Sequence, residues 1–320
     1  MAENVKTVKG TSLGRDAWRR LLKNKLAVFG MVVLVLMIIV VAFGPPILRW
    51  ATGITADAIP ADGDLIKSFP PSREHWMGTD EAGRDMFARV LQGGRISLMV
   101  GIISTIVSLI VGVSYGAIAG YMGGRIDNLM MRIVDVIYAI PYILIVIVLL
   151  SVFGGPNTPK WIQSVSDTFG GAGNAGLSQI FLLFFALGLV SWLTMARVVR
   201  GQILSLKNQE FVLAAKATGV TTPSIIFRHL VPNALGPVIV YATLTVPSVM
   251  LTEAFLSFLG LGVQAPYASW GSLSADGIKN IAIFPWQLIF PGVTMALTLF
   301  SLNFLGDGLR DALDPQTRKF

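Results

Sequence analysis

The sequence predicts an all-α integral membrane protein with six transmembrane helices, and three observations carry that prediction. Of the 320 residues, 53% are hydrophobic and only 13% are charged, and the mean hydropathy is +0.68. Soluble domains carry about 25% charged residues, so this chain cannot coat a water-facing surface, and it is far too apolar for disorder. Six segments then meet or approach the roughly 20 apolar residues a spanning helix needs: Leu26–Leu48, Ile96–Tyr121, Ile133–Phe153, Ile180–Met195, Pro237–Leu259 and Trp286–Leu305. Finally, with the N-terminus placed inside, 17 of the 25 lysines and arginines fall in inside segments. Positive charge accumulates in cytoplasmic loops, which places both termini in the cytoplasm.

Residues 1–25 form a basic cytoplasmic tail with Lys6, Lys9, Arg15, Arg19, Arg20, Lys23 and Lys25. Residues 26–48 form an N-terminal anchor helix. Its apolar run is too long for a cleaved signal peptide, and Gly44-Pro45-Pro46 with Arg49-Trp50 reads as a helix end at the outer interface. Residues 49–95 form an extracytoplasmic segment. Within it Asp80–Gln92 reads as a surface helix, with Met86, Phe87, Val90 and Leu91 as its apolar stripe and Gly93-Gly94 as its end. The plainer role for that helix is to lie in the membrane interface; the sharper one is a cap that contacts substrate.

Residues 96–320 form a five-helix core that includes a long inside loop at 196–236 and a cytoplasmic C-terminal tail. Gly112, Gly116 and Gly120, spaced by four, share one face of the second span, where another helix can approach closely. Pro141, Pro247 and Pro291 interrupt three other spans and predict kinks. Glu253 is the one carboxylate well inside an apolar run. A charge there must be paired, protonated or facing a wet cavity, so Glu253 lies either on a substrate path or in an interhelical contact. Asp127 and Asp135 lie at the inside interface, and no second intramembrane carboxylate completes a proton relay.

Chemistry is sparse. There is no cysteine and there are only two histidines, His75 and His229, so thiolate and histidine metal centres are not expected. The net charge of +7 reflects inside loops rather than a nucleic-acid partner. No P-loop, H-E-x-x-H or G-x-S-x-G is present. A single G-x-G-x-x-G at Gly171, Gly173 and Gly176 has no strand before it and reads as a flexible loop. Catalytic, cofactor-binding and metal-binding residues are therefore all expected to be absent.

The 196–236 loop is the informative segment. Ile203–Thr218 reads as one helix ended by Gly219. Thr222-Pro223 then caps a second short helix, Ser224–His229, which Pro232 closes. Its run Glu210-Phe-Val-Leu-Ala-Ala-Lys-Ala-Thr-Gly219, followed by Arg228-His-Leu-Val-Pro-Asn233, resembles the E-A-A…G…I-x-L-P loop of bacterial ABC importer permeases. Ala214, Ala215, Gly219 and Pro232 fall on the motif. Leu213 stands in place of its glutamate and His229 in place of its isoleucine, while Glu210, one turn earlier, is the candidate substitute carboxylate. Four further stretches are similar to signatures of the peptide/nickel branch: His75–Asp85, Gly94–Gly101, Phe258–Gly262 and Gly306–Pro315. Within that branch the chain is most similar to second membrane subunits of oligopeptide importers.

The resemblance implies a type I importer permease in the bacterial plasma (inner) membrane that catalyses nothing itself. It implies a heterodimer with a related second permease subunit, two cytoplasmic ATPases carrying ATP and Mg, an extracytoplasmic substrate-binding protein, and a peptide as substrate. Glu210, Ala214, Ala215 and Gly219 would couple the ATPases to the membrane helices. A nickel or nickel-chelate cargo within the same branch, a self-sufficient secondary carrier, and a membrane-embedded enzyme are the competing expectations.

Overall fold

The basic N-terminal stretch is already helical. In the computed structural model, which describes residues 13–59, 68–153 and 175–313 together with Lys160 and Ser164, α1 runs from Leu13 to Lys23. Asn24 breaks the chain and caps the next helix, its side chain accepting from the Leu26 and Ala27 amides at 3.1 and 3.2 Å. The glycine-rich motif at Gly171 and Gly173, the acids Asp62 and Asp64, and Pro315 lie outside the described residues.

The first span, α2 (Lys25–Thr52), crosses Pro45-Pro46 without breaking. Each proline deprives a carbonyl four residues earlier of its helical donor, here Val41 and Ala42. Arg95 supplies the replacement. Its Nε donates to Val41 O at 2.9 Å and its Nη2 donates to Ala42 O. The helix ends at Gly53, whose φ is +73°.

The next helix, α3, runs unbroken from Met86 to Met122, with Asp85 as its cap. This corrects the expected Asp80–Gln92 surface helix. Residues 80–85 form a turn, and Gly93-Gly94 do not end anything. Those glycines are contact points: a Cβ at Gly94 would lie 2.6 Å from Trp270 Cζ2. Gly112, Gly116 and Gly120 face α6 (Ala175–Leu206) as their spacing predicts. A Cβ at Gly112 would lie 2.6 Å from Met195 Cβ, one at Gly120 2.9 Å from Arg200 O, and one at Gly116 would strike the Ala196 carbonyl. In return a Cβ on Gly188 of α6 would meet Val107 at 2.7 Å.

The expected third span, Ile133–Phe153, is two helices. The first, α4 (Gly124–Ala139), and the second, α5 (Tyr142–Phe153), meet at Ile140-Pro141 with an 86° bend. Proline ends α4 because it cannot donate the next helical bond and disfavours helical geometry at Ile140; Ile140 is extended (φ −83°, ψ 131°). The fourth span runs past the expected Met195 to Leu206, so Arg197 and Arg200 belong to the helix rather than the loop. Both are neutralised from α4. Arg200 grips Asp127 through two bonds of 2.5 and 2.7 Å, and Arg197 binds Asp135 at 2.7 Å.

After a short helix α7 (Glu210–Ala217), the chain is continuously helical from Thr222 to Phe258 (α8). Residues Ile225–Leu230 form a π turn in it. This corrects the separate Ser224–His229 helix: Pro232 follows the widened turn and continues the helix instead of closing it. Then α9 (Trp270–Lys279) and α10 (Trp286–Leu313) complete the bundle. Pro247 and Pro291 sit inside α8 and α10. Burial separates centre from edge. In their most apolar windows 61% of Ile180–Leu206 is buried but only 17% of α2, so the first span is peripheral and the α3–α6 pair is the core.

Candidate functional site

At one end of the bundle the segment 207–230 is held against the span ends. Lys207 Nζ reaches back to Gly120 O at 3.1 Å. The expected helix Ile203–Thr218 is interrupted at Lys207–Gln209, because Gln209 adopts an extended backbone and starts α7 afresh. In α7, Val212 and Ala215 are buried against Ile225, Ile226 and Leu230. The opposite stripe, Glu210, Leu213, Ala214 and Ala217, is exposed. Positions i, i+3, i+4 and i+7 share a helix face, so Glu210 does lie beside Leu213, the position where the motif's glutamate is replaced. Ala215 faces the bundle, not outward. Its small side chain lets α7 lie close to α8, while Ala214 and Ala217 keep part of the outer stripe small beside Glu210 and Leu213.

Gly219 ends this element at φ +79°, with Val220 N bonded to Ala215 O at 3.1 Å and Thr218 Oγ1 to Ala214 O at 3.1 Å. Nothing lies within 4 Å of a Cβ placed there. Backbone conformation, not space, demands glycine. Arg228 and His229 lie in the π turn, whose His229 carbonyl accepts from Asn233 Nδ2 at 2.6 Å.

At the opposite end, His75–Asp85 folds into a clasp. Asp80 accepts from the Ala82 and Arg84 amides, both at 2.9 Å, and pairs with Arg84 and Arg89. Asp85 caps α3 and holds His75 Nδ1 at 2.8 Å. Trp286 and Gln287, at the start of α10, donate to Thr79 O at 3.2 and 3.1 Å. The ion pairs of this motif thus brace the turn against the start of α3, while the Thr79 carbonyl ties it to α10 and Glu81 accepts from Asn280 Nδ2. Glu253 is 1% exposed, and Ser257 and Ser269 donate to its Oε1 at 2.7 and 2.6 Å. In this chain it joins α8 to the start of α9.

A cavity of about 570 Å³ opens at the α4–α5 bend, between α6 and α8. Its polar wall is made of hydroxyls: Tyr138 and Tyr142 beside the break, Ser191 and Thr194 from α6, and Tyr241 and Thr245 from α8. Residue-by-residue reading of the sequence missed them, although Tyr241, Thr245, Ser248 and Thr252 recur at helical spacing within an apolar span. That stripe was the available signal. Among the described residues no group of three or more His, Cys, Asp or Glu could hold a metal ion.

Comparison with known proteins places this geometry. Residues 112–319 match the family of binding-protein-dependent transport system inner membrane components, and residues 12–61 match the N-terminal transmembrane domain of oligopeptide transport permease C. The oligopeptide transport system permease protein OppC of Bacillus subtilis is 43% identical over 97% of this chain and 92% of its own length. The dipeptide transport system permease protein DppC of the same organism is 45% identical over 98% and 89%. OppC of Escherichia coli K12 is 45% identical over 97% and 94%. A solved inward-facing structure of the MetNI methionine ABC transporter shares the fold, with a TM-score of 0.51 at 17% identity, covering 72% of this chain and 98% of that one. The chain is a multi-pass membrane protein and belongs to the family of inner-membrane permease components of binding-protein-dependent ABC transport systems.

Proposed function

We propose that this chain forms half of the translocation pathway of an ATP-driven peptide importer and transmits the movement of cytoplasmic ATPases to it. The carrying observation is the exposed stripe Glu210, Leu213, Ala214 and Ala217 on a short helix anchored to the span ends. Relatives named as oligopeptide and dipeptide permeases over nearly their whole length supply the cargo class. In this reading the partners are a related second permease subunit, two ATPases that hold ATP and Mg, and an extracytoplasmic binding protein. The stripe and both termini face the cytoplasm. Coupling requires the docked helix to interact differently with the two states of the ATPase pair, and a helix fastened to the bundle through Val212 and Ala215, with an exposed outer stripe and a glycine-set angle, suits that demand.

The absence of cysteine makes the test clean. Leu213→Cys and Ala214→Cys in the assembled complex should crosslink, through a short thiol-to-amine reagent, to a P-loop ATPase, with a yield that changes with bound nucleotide. Ala215→Cys, facing inward, should react poorly. Crosslinks to lipid or to this chain alone would overturn the assignment, as would peptide uptake by proteoliposomes that contain only this chain.

A further inference from the structure

The hydroxyl-lined cavity invites a more specific reading, which rests on the proposed function. We infer that the cavity at the α4–α5 bend holds the main chain of the passing peptide, through neutral hydroxyls and without any charged contact.

Charge is the first argument. No Lys, Arg, Asp, Glu or His lines the cavity. The charges beside Tyr138 are already matched to each other: Arg197 binds Asp135, and its guanidinium carbon sits over the Tyr138 ring, 4.2 Å from the centroid. A peptide terminus or a charged side chain would therefore meet no counter-ion there, and burying an unpaired charge is costly. Charged parts of the cargo must lie in water or in the half of the pathway that this chain does not supply.

Hydroxyl chemistry is the second. Ser191, Thr245 and Thr252 give their protons to backbone carbonyls of their own helices, at 2.8 to 2.9 Å. Their oxygens keep only acceptor capacity. Tyr142 lies near Ser191 and Thr252, and Tyr241 near Thr194 and Thr245, so each tyrosine has one proton to share between two neighbouring oxygens. Tyr138 Oη and Thr194 Oγ1 are 2.8 Å apart. A hydroxyl both donates and accepts, so this ring can exchange its internal bonds for the N–H and C=O groups of an extended peptide at nearly equal energy. Such exchange binds any sequence and binds it weakly, as a pathway that must release its cargo requires.

Position is the third. The wall is assembled from α4, α5, α6 and α8, and α4 and α5 meet at the sharp Ile140-Pro141 bend. Ser248, exposed on the same stripe, is the natural reporter. The cavity's volume, about 570 Å³, falls within the roughly 300–1,000 Å³ of small-ligand sites.

The test uses the complete complex in membranes with Ser248→Cys, and Val293→Cys on the exposed face of α10 as reference. The probe is a five-residue alanine peptide whose central residue carries a bromoacetyl group. During turnover the Ser248→Cys variant should be alkylated at least about tenfold faster than the reference, and excess unmodified peptide should suppress the reaction. Separately, Tyr241→Phe should raise the uptake KM about three- to tenfold, the value of one hydrogen bond, and equally for acidic, basic and neutral pentapeptides. Equal alkylation of both positions, or capture of the second membrane subunit instead of peptide, would overturn the inference, as would a KM change confined to one charge class. If the unaltered complex takes up no peptide, the proposed function fails instead.

Discussion

Arg95 shows how a charged residue becomes necessary inside a membrane span. Pro45 and Pro46 strip the Val41 and Ala42 carbonyls of their helical donors, and one guanidinium caps both. Leaving a buried polar group unbonded costs about 1–3 kcal/mol. Arg95→Met should therefore lower the melting temperature of the purified protein in detergent. Adding Pro45→Ala and Pro46→Ala should recover much of the loss, because each alanine restores an amide donor; a strictly additive triple variant would refute the argument. Glu253 makes a parallel case. Glu253→Gln keeps an acceptor for Ser257 and Ser269 and should be tolerated, whereas Glu253→Ala orphans two buried hydroxyls and should destabilise by about 2 kcal/mol or more. Expression and thermal melting of both variants would decide it.

At the scale of the element, three sets of glycines serve two roles in this chain, close approach and a left-handed turn. Gly112, Gly116 and Gly120 allow α3 and α6 to touch. Gly93 and Gly94 do the same toward Trp270. Gly219 supplies a left-handed backbone turn. Spacing made the first set legible in the sequence. The second set was misread as a helix end, because two adjacent glycines look alike whether they end a helix or receive a side chain from another one. Gly116→Val should separate α3 from α6, since the obstacle is the Ala196 carbonyl, which cannot swing aside as a side chain would. Overpacking of that kind costs about 1–3 kcal/mol, and loss of folded monomer on size exclusion would report it. Proline misled in the same way. Pro141 follows an extended Ile140 and breaks its span by 86°, while Pro232 follows a π turn and continues α8.

For the whole molecule, the proposed function requires α7 to move with the bundle. Ala215 and Val212 fasten α7 to α8, and Asp127 and Asp135 fasten α4 to α6. Gly219→Pro demands a φ near −65° where the chain holds +79°, so it should turn α7 out of its angle. In the reconstituted complex we expect ATP hydrolysis to continue while peptide uptake falls at least about tenfold. Normal uptake would show that the angle of α7 is immaterial. Composition, the all-α membrane-spanning fold and the small-residue face of α3 could be read from the chain alone, because hydropathy and residue spacing are local properties that the bilayer and helix geometry convert directly into structure. The partition of α7 into inward Ala215 and outward Glu210, the clasping of the His75–Asp85 motif, through its Thr79 carbonyl, onto Trp286 and Gln287, and the gathering of tyrosine, serine and threonine hydroxyls around one cavity could not. Each depends on which residues of separate helices meet, and that was decided by close packing between those helices.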